Sequence, residues 1–345
     1  PTRAALDGMI GADADLLVAV GSGVINDLCK WHAADLQRPY LVVATAASMN
    51  GYASENIAPA IRGVKRVITG TVPKAIVATP DIITTAPTQL TAAGLGDVLA
   101  KPVSMTDWRI NHLLFDEYFC PVCADLIRDL EPLYMNHPDQ IRARDPRTLQ
   151  ALFEALVYSG VSMTMAGTSS PASGGEHLVS HVLDMIAMRD GYPHDLHGRQ
   201  VGIGTIVAAA LYDRLRELGD PRFANVTEPT DADYWGVLSP VVEEEHAGKR
   251  EKAAQAARRL QEPGVWAGVR ELIVQHTRSA AEIKCCLREA GAAHRLGDIG
   301  VVREDFLAAL RHCHQIRTRY TVIDLARAAG VLPAAAEAIV DEWLV

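Results

Sequence analysis

Three of the histidines in the stretch SSPASGGEHLVSHVLDMIAMRDGYPHDLHGRQVGIGT, residues 169–205, could meet at one point: His177, His181 and His197. Neutral imidazole is a common metal ligand. The four-residue spacing of His177 and His181 puts both on one face of a helix, one turn apart. His197 stands just before Gly198 and the apolar run VGIGTIVAAAL, which reads as a second helix. A histidine at the start of one helix, facing a histidine inside its neighbour, makes a pair of metal ligands. A pair leaves the site incomplete, and the best carboxylate to complete it is Asp97, in AAGLGDVLAK. Lys101 follows Asp97 by one turn, and the competing reading of these two is a surface ion pair worth a few tenths of a kcal/mol. The apolar, Gly-rich surroundings argue against a solvated face. The order EHLVSH is not the HExxH of zinc peptidases, because the glutamate precedes His177.

A second chemistry is written near the start. LLVAV, from Leu16 to Val20, is a short apolar run bounded by Asp15 and Gly21 that fits a buried parallel strand. GSGVINDLCKWHAA follows and reads as a turn into a helix. Gly21 and Gly23 let the backbone approach a ligand closely, and the helix N-terminus offers free N–H groups to a pyrophosphate. Asn26 stands where GxGxxG has its third glycine, so a tight strand-to-helix turn without a ligand is the alternative.

The elements that must position these residues change character along the chain. Tyr40–Ala44, YLVVA, is a second buried strand, and Thr45, Ser48, Asn50 and Ser54 crowd the loop after it. In doubly wound sheets ligands bind at that carboxyl end. Val64–Thr69 is expected as an edge strand of a hairpin, and Ala75–Ile83 as a further strand. Strands alternate with helices over residues 1–85, the mark of an α/β nucleotide-binding domain. From Ala86 to Val345 the patterns are helical, which implies an all-helical domain, and it carries the candidate metal ligands Asp97, His177 and His197. Helices are expected over Pro87–Lys101, Trp108–Phe119, the DPRTLQALFEALVYSGVSMTMAG stretch, the histidine segment, Val201–Leu218, Glu251–Leu260, Val265–Glu289 and Glu304–Arg311, with short ones after Arg317. Residues 219–244, rich in Pro, Asp and Glu, read as an exposed excursion, and Arg250–Arg259 as a solvated helix face.

With 345 residues, 49% of them hydrophobic, the chain can bury a large core in two domains. A formal net charge of −9 argues against a general nucleic-acid binder. It leaves room for a local basic pocket holding a phosphorylated small molecule. No charge-free apolar run reaches the roughly 18 residues of a membrane span, and no signal peptide is present. Cys120 and Cys123 form half a zinc knuckle without a second half. All six cysteines read as reduced thiols of a cytoplasmic protein.

The motifs GSGVINDLCK, TAASMNGYAS, GLGDVLAKPVSMTDWR, GGEHLVSHVLDM and HGRQVGIGT, in that order, resemble the sn-glycerol-1-phosphate dehydrogenases. Those enzymes belong to the dehydroquinate synthase-like and iron-containing alcohol dehydrogenase-like superfamily, and EHxxSH with the DW after GLGD points to their bacterial members. The resemblance spans nearly the whole chain. It implies an N-terminal Rossmann-like domain, a C-terminal helical domain and an active site between them. It implies one divalent metal, zinc or nickel, held by Asp97, His177 and His197. It puts the pyrophosphate of NAD or NADP on Gly21, Ser22, Gly23, Val24 and Ile25, with Thr45, Ser48 and Ser54 also near the cofactor. Asn50, Asp97 and His181 fall on the substrate, with His181 and Asp97 as catalytic groups.

This chain departs from the family pattern in two ways. Asn50 stands where the family usually has Asp, which keeps hydrogen bonding and loses charge. Family members usually carry further residues before the glycine turn, including the first strands of the nucleotide-binding fold, and this chain, which reads as a fragment beginning at Pro1, is expected to lack them. The adenosine end of the cofactor is therefore expected to lack part of its pocket.

The implied reaction is the reversible reduction of dihydroxyacetone phosphate to sn-glycerol 1-phosphate. Three protein ligands leave the metal an open position for the substrate C2 oxygen, where it acts as a Lewis acid while NAD(P)H delivers hydride. His181 hydrogen-bonds substrate and relays the proton, and Lys101 and Arg199 are candidates for the phosphate by sequence proximity. The alternatives are a polyol or glycerol dehydrogenase, a dehydroquinate synthase-like cyclase, or a truncated chain that binds metal without cofactor. A homodimer or higher homo-oligomer is the expected assembly.

Overall fold

The computed structural model describes residues 2–11, 13–61, 64–65, 68–126 and 128–345. A first helix, α1 (Thr2–Asp7), precedes strand β1 (Leu17–Gly21), helix α2 (Gly23–Asp35) and strand β2 (Tyr40–Ala44). Four two-residue strands follow, β3 (Asn56–Ile57), β4 (Ala60–Ile61), β5 (Val64–Lys65) and β6 (Ile68–Thr69), and then β7 (Ala75–Val77). Strands β1, β2 and β7 form a parallel sheet in the order β1-β2-β7, with Leu17 beside Tyr40 and Leu41 beside Ala75. The β-branched and aliphatic residues of LLVAV and YLVVA suit such strands.

The sheet has two unlike faces. Leu17, Ala19, Tyr40, Val42 and Ala44 are buried, with Asn26 and Ala33 of α2 buried beside them. On the other face Val18 and Val20 are 51% and 61% exposed and Val77 is 48% exposed. The fully buried strand expected at LLVAV is thus buried on one face only. The expected strand over Ala75–Ile83 stops at Val77, because Pro80 starts a short helix, α3 (Pro80–Ile83), after the extended Thr79. The expected hairpin at Val64–Thr69 is divided between two antiparallel ladders, β4 with β5 and β3 with β6. Residues 66 and 67 of that expectation lie outside the described residues.

Beyond β7 the described residues form helices and turns without a strand. The helices are α4 (Thr88–Leu99), α5 (Lys101–Phe115), α6 (Pro121–Asp125), α7 (Glu131–Met135), α8 (Pro138–Arg142), α9 (Pro146–Ala166), α10 (Gly175–Asp190), α11 (His197–Glu217), α12 (Ala232–Trp235), α13 (Ser239–Arg259), α14 (Val265–His276), α15 (Ala280–Glu289), α16 (Arg303–His312), α17 (Val322–Ala328) and α18 (Ala336–Trp343). The helix expected over Trp108–Phe119 begins earlier, at Lys101, and ends where Asp116 turns left-handed at φ 54°. The one helix expected over Val265–Glu289 is two. Ser279 closes a capping box with Glu282 and starts the second. The expected excursion at 219–244 is anchored inside the core by Phe223, Trp235, Leu238 and Val242, all buried, and α13 already begins at Ser239.

Helices α10 and α11 form the centre of this region. Residues 174–185 and 200–212 are buried without interruption, and a helix buried on every side belongs to a core. Helix α11 also lies directly on α4: a Cβ on Gly96 would fall 1.9 Å from the Gly198 carbonyl oxygen, and one on Gly198 2.0 Å from that of Ala93. Only glycine permits that approach. It brings the GLGD and HGRQ motifs, about a hundred positions apart in the chain, into backbone contact.

Candidate active site

Asp97 on α4, His177 on α10 and His197 at the first turn of α11 each present one ligand atom, and the three atoms lie within 4.8 Å of one another. The ring centroids of His177 and His197 are 5.2 Å apart. Among the described residues no other group of three His, Cys, Asp or Glu is so arranged, and Cys120 and Cys123 are free thiols outside it.

The neighbours of each ligand fix which atom it offers. The Nδ1–H of His177 donates to Glu176 Oε1 at 2.7 Å, so its Nε2 lone pair is the one left for a metal. Ser180 Oγ donates to Gln200 Oε1 at 3.0 Å, and it therefore accepts from His197 Nδ1–H, also at 3.0 Å. His197 is thus held in the same tautomer as His177. Asp97 Oδ2 accepts the Asn50 backbone N–H at 3.1 Å, whereas its Oδ1 is buried with no hydrogen-bond partner among the described residues. A buried carboxylate oxygen without a partner is costly. Two imidazoles with engaged Nδ1 atoms, grouped with that carboxylate within 4.8 Å, fit a divalent cation, and this donor set is what zinc and similar metals take.

The electrostatics agree with that fit. Burial pushes the Asp97 carboxyl up to about 7, against the pull of the Asn50 N–H and the Lys101 charge. Burial likewise raises Glu176 to about 7 and lowers Lys101 to about 7. His177 is held down to about 3 by burial, then by the charges of Lys101, Arg319 and Arg317, so it stays neutral and able to ligate. A divalent cation reverses the burial penalty on the carboxylates.

The start of α10 is built on two carboxylates. Glu176 Oε1 accepts the Gly174 N–H at 2.7 Å, and Asp107 Oδ2 accepts the Gly175 N–H at 2.8 Å. Asp107 Oδ1 takes the Tyr212 hydroxyl at 2.5 Å and the Val322 N–H at 2.7 Å. Burial and the Glu176 charge push Asp107 up to about 8, while its three donors pull it down. These contacts occupy N–H groups that a helix start leaves open.

His181 sits one turn beyond His177 and stacks on His197, with ring centroids 5.5 Å apart and planes at 17°. Asn50 lies against Asp97 through its backbone, and its side-chain Nδ2 is buried with no partner among the described residues. The loop that carries Asn50 is fixed from both sides. Lys30 of α2 donates to Gly51 O and Asn56 O at 2.8 and 2.9 Å. On the other side the Ala47 carbonyl lies where a Cβ on Gly94 of α4 would be.

The glycine turn occupies the carboxyl end of β1. Gly21 ends the strand, Ser22 is extended at the N-cap of α2, and Gly23, Val24 and Ile25 form its first turn. Thr45 N–H donates to Gly21 O at 3.1 Å, which joins the loop after β2 to this turn. Gly23 lies against Met49, and Ser48 shares a hydrogen bond with Tyr52 at 3.3 Å. Ser54 is fully buried, and its Oγ accepts the Asn56 N–H at 3.0 Å. Of the two phosphate candidates, Lys101 is buried beside the carboxylates and donates to Pro171 O at 3.3 Å. Arg199 is occupied by Asp195, at 2.8 Å, and by the Asp298 carbonyl.

Residues 2–87 match the iron-containing alcohol dehydrogenase family. The glycerol-1-phosphate dehydrogenase (NAD(P)+) of Halalkalibacterium halodurans is 32% identical over 318 residues, covering 91% of this chain and 72% of that protein. The chain belongs to the glycerol-1-phosphate dehydrogenase family. The member from Bacillus licheniformis is 32% identical over 323 residues, 93% of this chain and 70% of its own length. Like other glycerol-1-phosphate dehydrogenases, this chain is an oxidoreductase. The fold is shared with a probable glycerol dehydrogenase from Sinorhizobium meliloti at TM-score 0.59 and 16% identity, over 98% of this chain and 81% of that one. It is shared equally with glycerol dehydrogenase from Schizosaccharomyces pombe, at TM-score 0.59 and 16% identity, over 99% and 74% of the two chains. Among the described residues no helix is long and apolar enough to cross a membrane.

Glu176 and Ser180 lie within EHxxSH and Asp107 opens the DW step, but the sequence reading gave none of the three a role in this site. Glu176 adjoins a ligand in sequence, and that adjacency was its signal. Asp107 meets Gly175, Tyr212 and Val322 only through the tertiary fold.

Proposed function

We propose that this chain reduces dihydroxyacetone phosphate to sn-glycerol 1-phosphate, and runs the reverse reaction, using NAD(P)H and one divalent metal, zinc or nickel. The observation that carries the reading is the buried, unpartnered Asp97 Oδ1 beside two histidines whose Nδ1 atoms are already engaged. Asp97, His177 and His197 would hold the metal. The relatives' names supply the substrate and the cofactor. When bound, the metal polarises the substrate carbonyl and the nicotinamide supplies the hydride.

The chain's own residues do the rest. Asn50 Nδ2, buried and unpartnered, donates to a substrate oxygen. His181, stacked on His197 and buried, gives a proton to the alkoxide oxygen in reduction and takes it back in oxidation. Closure of the pocket by α4, α10 and α11 excludes water. The turn Gly21–Ile25 receives the pyrophosphate, with Thr45, Ser48 and Ser54 in the neighbouring loop. In this reading residues 1–85 are the nucleotide-binding unit and residues 86–345 hold metal and substrate.

The test is NADH and NADPH oxidation by metal-loaded protein with dihydroxyacetone phosphate and with dihydroxyacetone. The phosphorylated ketone should win in kcat/KM by on the order of 100-fold, the worth of one or two charge-assisted hydrogen bonds. Equal rates on both ketones would point to a polyol dehydrogenase instead.

A further inference from the structure

The 317–322 segment carries two arginines, Arg317 and Arg319, and packs against the start of the helix that bears His177. The segment leads from the short turn Cys313–Gln315 into α17 and is clamped against the start of α10. Asn111 Nδ2 donates to Tyr320 O at 2.7 Å, and Asp107 bridges Val322 N–H to Gly175 N–H. Arg319 donates to Ser173 O and, at 3.0 Å, to Ser169 Oγ, in the loop that runs directly into Gly174 and His177. Arg317, two residues earlier, has φ 63°. That left-handed conformation costs a non-glycine residue on the order of 1 kcal/mol or more and persists only where the surroundings hold it. Arg317 is half-buried and its guanidinium makes no hydrogen bond or ion pair among the described residues. The one acid that influences it is Glu245, which is not in ion-pair contact.

Of the other cations nearby, Lys101 donates to Pro171 O and feels the charges of Asp97 and Glu176, and Arg199 is tied to Asp195. The charges of both Arg317 and Arg319 reach His177, where they help to keep the ring neutral. Around the ligands the carboxylates Asp97, Asp107 and Glu176 balance Lys101, Arg317 and Arg319 in formal charge, with Glu245 and Glu117 acting on the two arginines, and a divalent metal adds positive charge at the ligands themselves. A phosphate dianion matches that surplus. Guanidinium is the side chain best shaped for it, with paired donors and a charge that burial does not remove.

We infer that Arg317, supported by Arg319, is the phosphate subsite that makes this chain select a phosphorylated three-carbon ketone over its unphosphorylated form. The inference rests on the function proposed above and names the residues that enforce its substrate class. Arg319 is ordered by its bonds to the 169–173 loop and keeps further N–H groups for an oxyanion. Arg317 supplies the guanidinium that nothing else uses.

The experiment compares metal-loaded wild type with Arg317→Ala on both ketones and measures inhibition by inorganic phosphate. Arg317→Ala should raise KM for dihydroxyacetone phosphate, and the inhibition constant of phosphate, by about 10- to 100-fold, the worth of a charge-assisted hydrogen bond. Metal content and kcat/KM for dihydroxyacetone should stay at the wild-type values, and Arg317→Lys should recover part of the loss. A wild type that does not prefer the phosphorylated ketone would defeat the proposed function itself. A wild type that prefers it, with Arg317→Ala unchanged or weakened equally on both ketones, would overturn the inference alone. If Arg317→Ala does not fold, Arg317→Gln carries the same comparison.

Discussion

The glycine turn after β1 and the glycines beneath α11 use one residue type for opposite ends. At the turn, Gly21 and Gly23 are only half-buried, and Val24 beside them is 70% exposed. In the proposed function the backbone N–H groups there face the cofactor. Between α4 and α11, Gly96 and Gly198 are buried, each with a carbonyl oxygen about where its Cβ would be. Here the absent side chain lets two helices touch and places Asp97 opposite His197. The sheet region therefore offers an exposed turn, and the helical region a buried cluster of ligand side chains. The proposed reaction, which exchanges a dinucleotide and keeps a metal, would use both.

The contrast breaks most completely at the metal. Asp97→Ala should abolish both bound metal, by elemental analysis, and turnover, while NAD(P)H titration by fluorescence still shows wild-type affinity. Loss of cofactor affinity along with the metal would mean that the two regions are not separable in this way.

Next in size is His181→Ala. Turnover should fall by about 10²–10⁴-fold, the range for a positioned acid or base, with metal content near wild type. Simultaneous loss of metal would make His181 a ligand. Full turnover with full metal would remove it from the chemistry and leave substrate orientation to Asn50.

The smallest effect belongs to the exposed turn. A Cβ on Gly23, the first residue of α2, would lie 3.1 Å from Met49 Sδ. Gly23→Val should weaken NAD(P)H binding by about tenfold or more, equivalent to about 1.4 kcal/mol, without changing metal content. Unaltered cofactor affinity would show the turn to be structural only.

Much of this was legible from residue type and spacing. A strand, a glycine turn and a helix follow one another locally, and β1, α2 and β2 stand where the pattern puts them, within a residue or so. His177 and His181 share a face because helical geometry is local. The motifs GLGD, GGEH and HGRQ, read in order, singled out Asp97, His177 and His197, and the fold brings those three together. Element ends were less legible. Pro80 ended a strand early, Ser279 divided a long helical pattern, and Trp235 drew a polar-looking stretch into the core. Each boundary was decided by a cap or a tertiary contact that competes with propensity.

What the sequence determined by itself was the set of groups able to do chemistry and the local geometry that presents them. What only the tertiary structure decided was their company: Glu176 and Ser180 fixing the imidazole tautomers, Asp107 joining α10 to α17, Arg199 tied to Asp195 and Arg317 without a hydrogen bond or ion pair among the described residues. The physical reason is that a hydrogen bond or a burial penalty depends on atoms brought together from distant parts of the chain. Asp107 and Val322 are 215 positions apart and meet at 2.7 Å, a contact that no local period encodes.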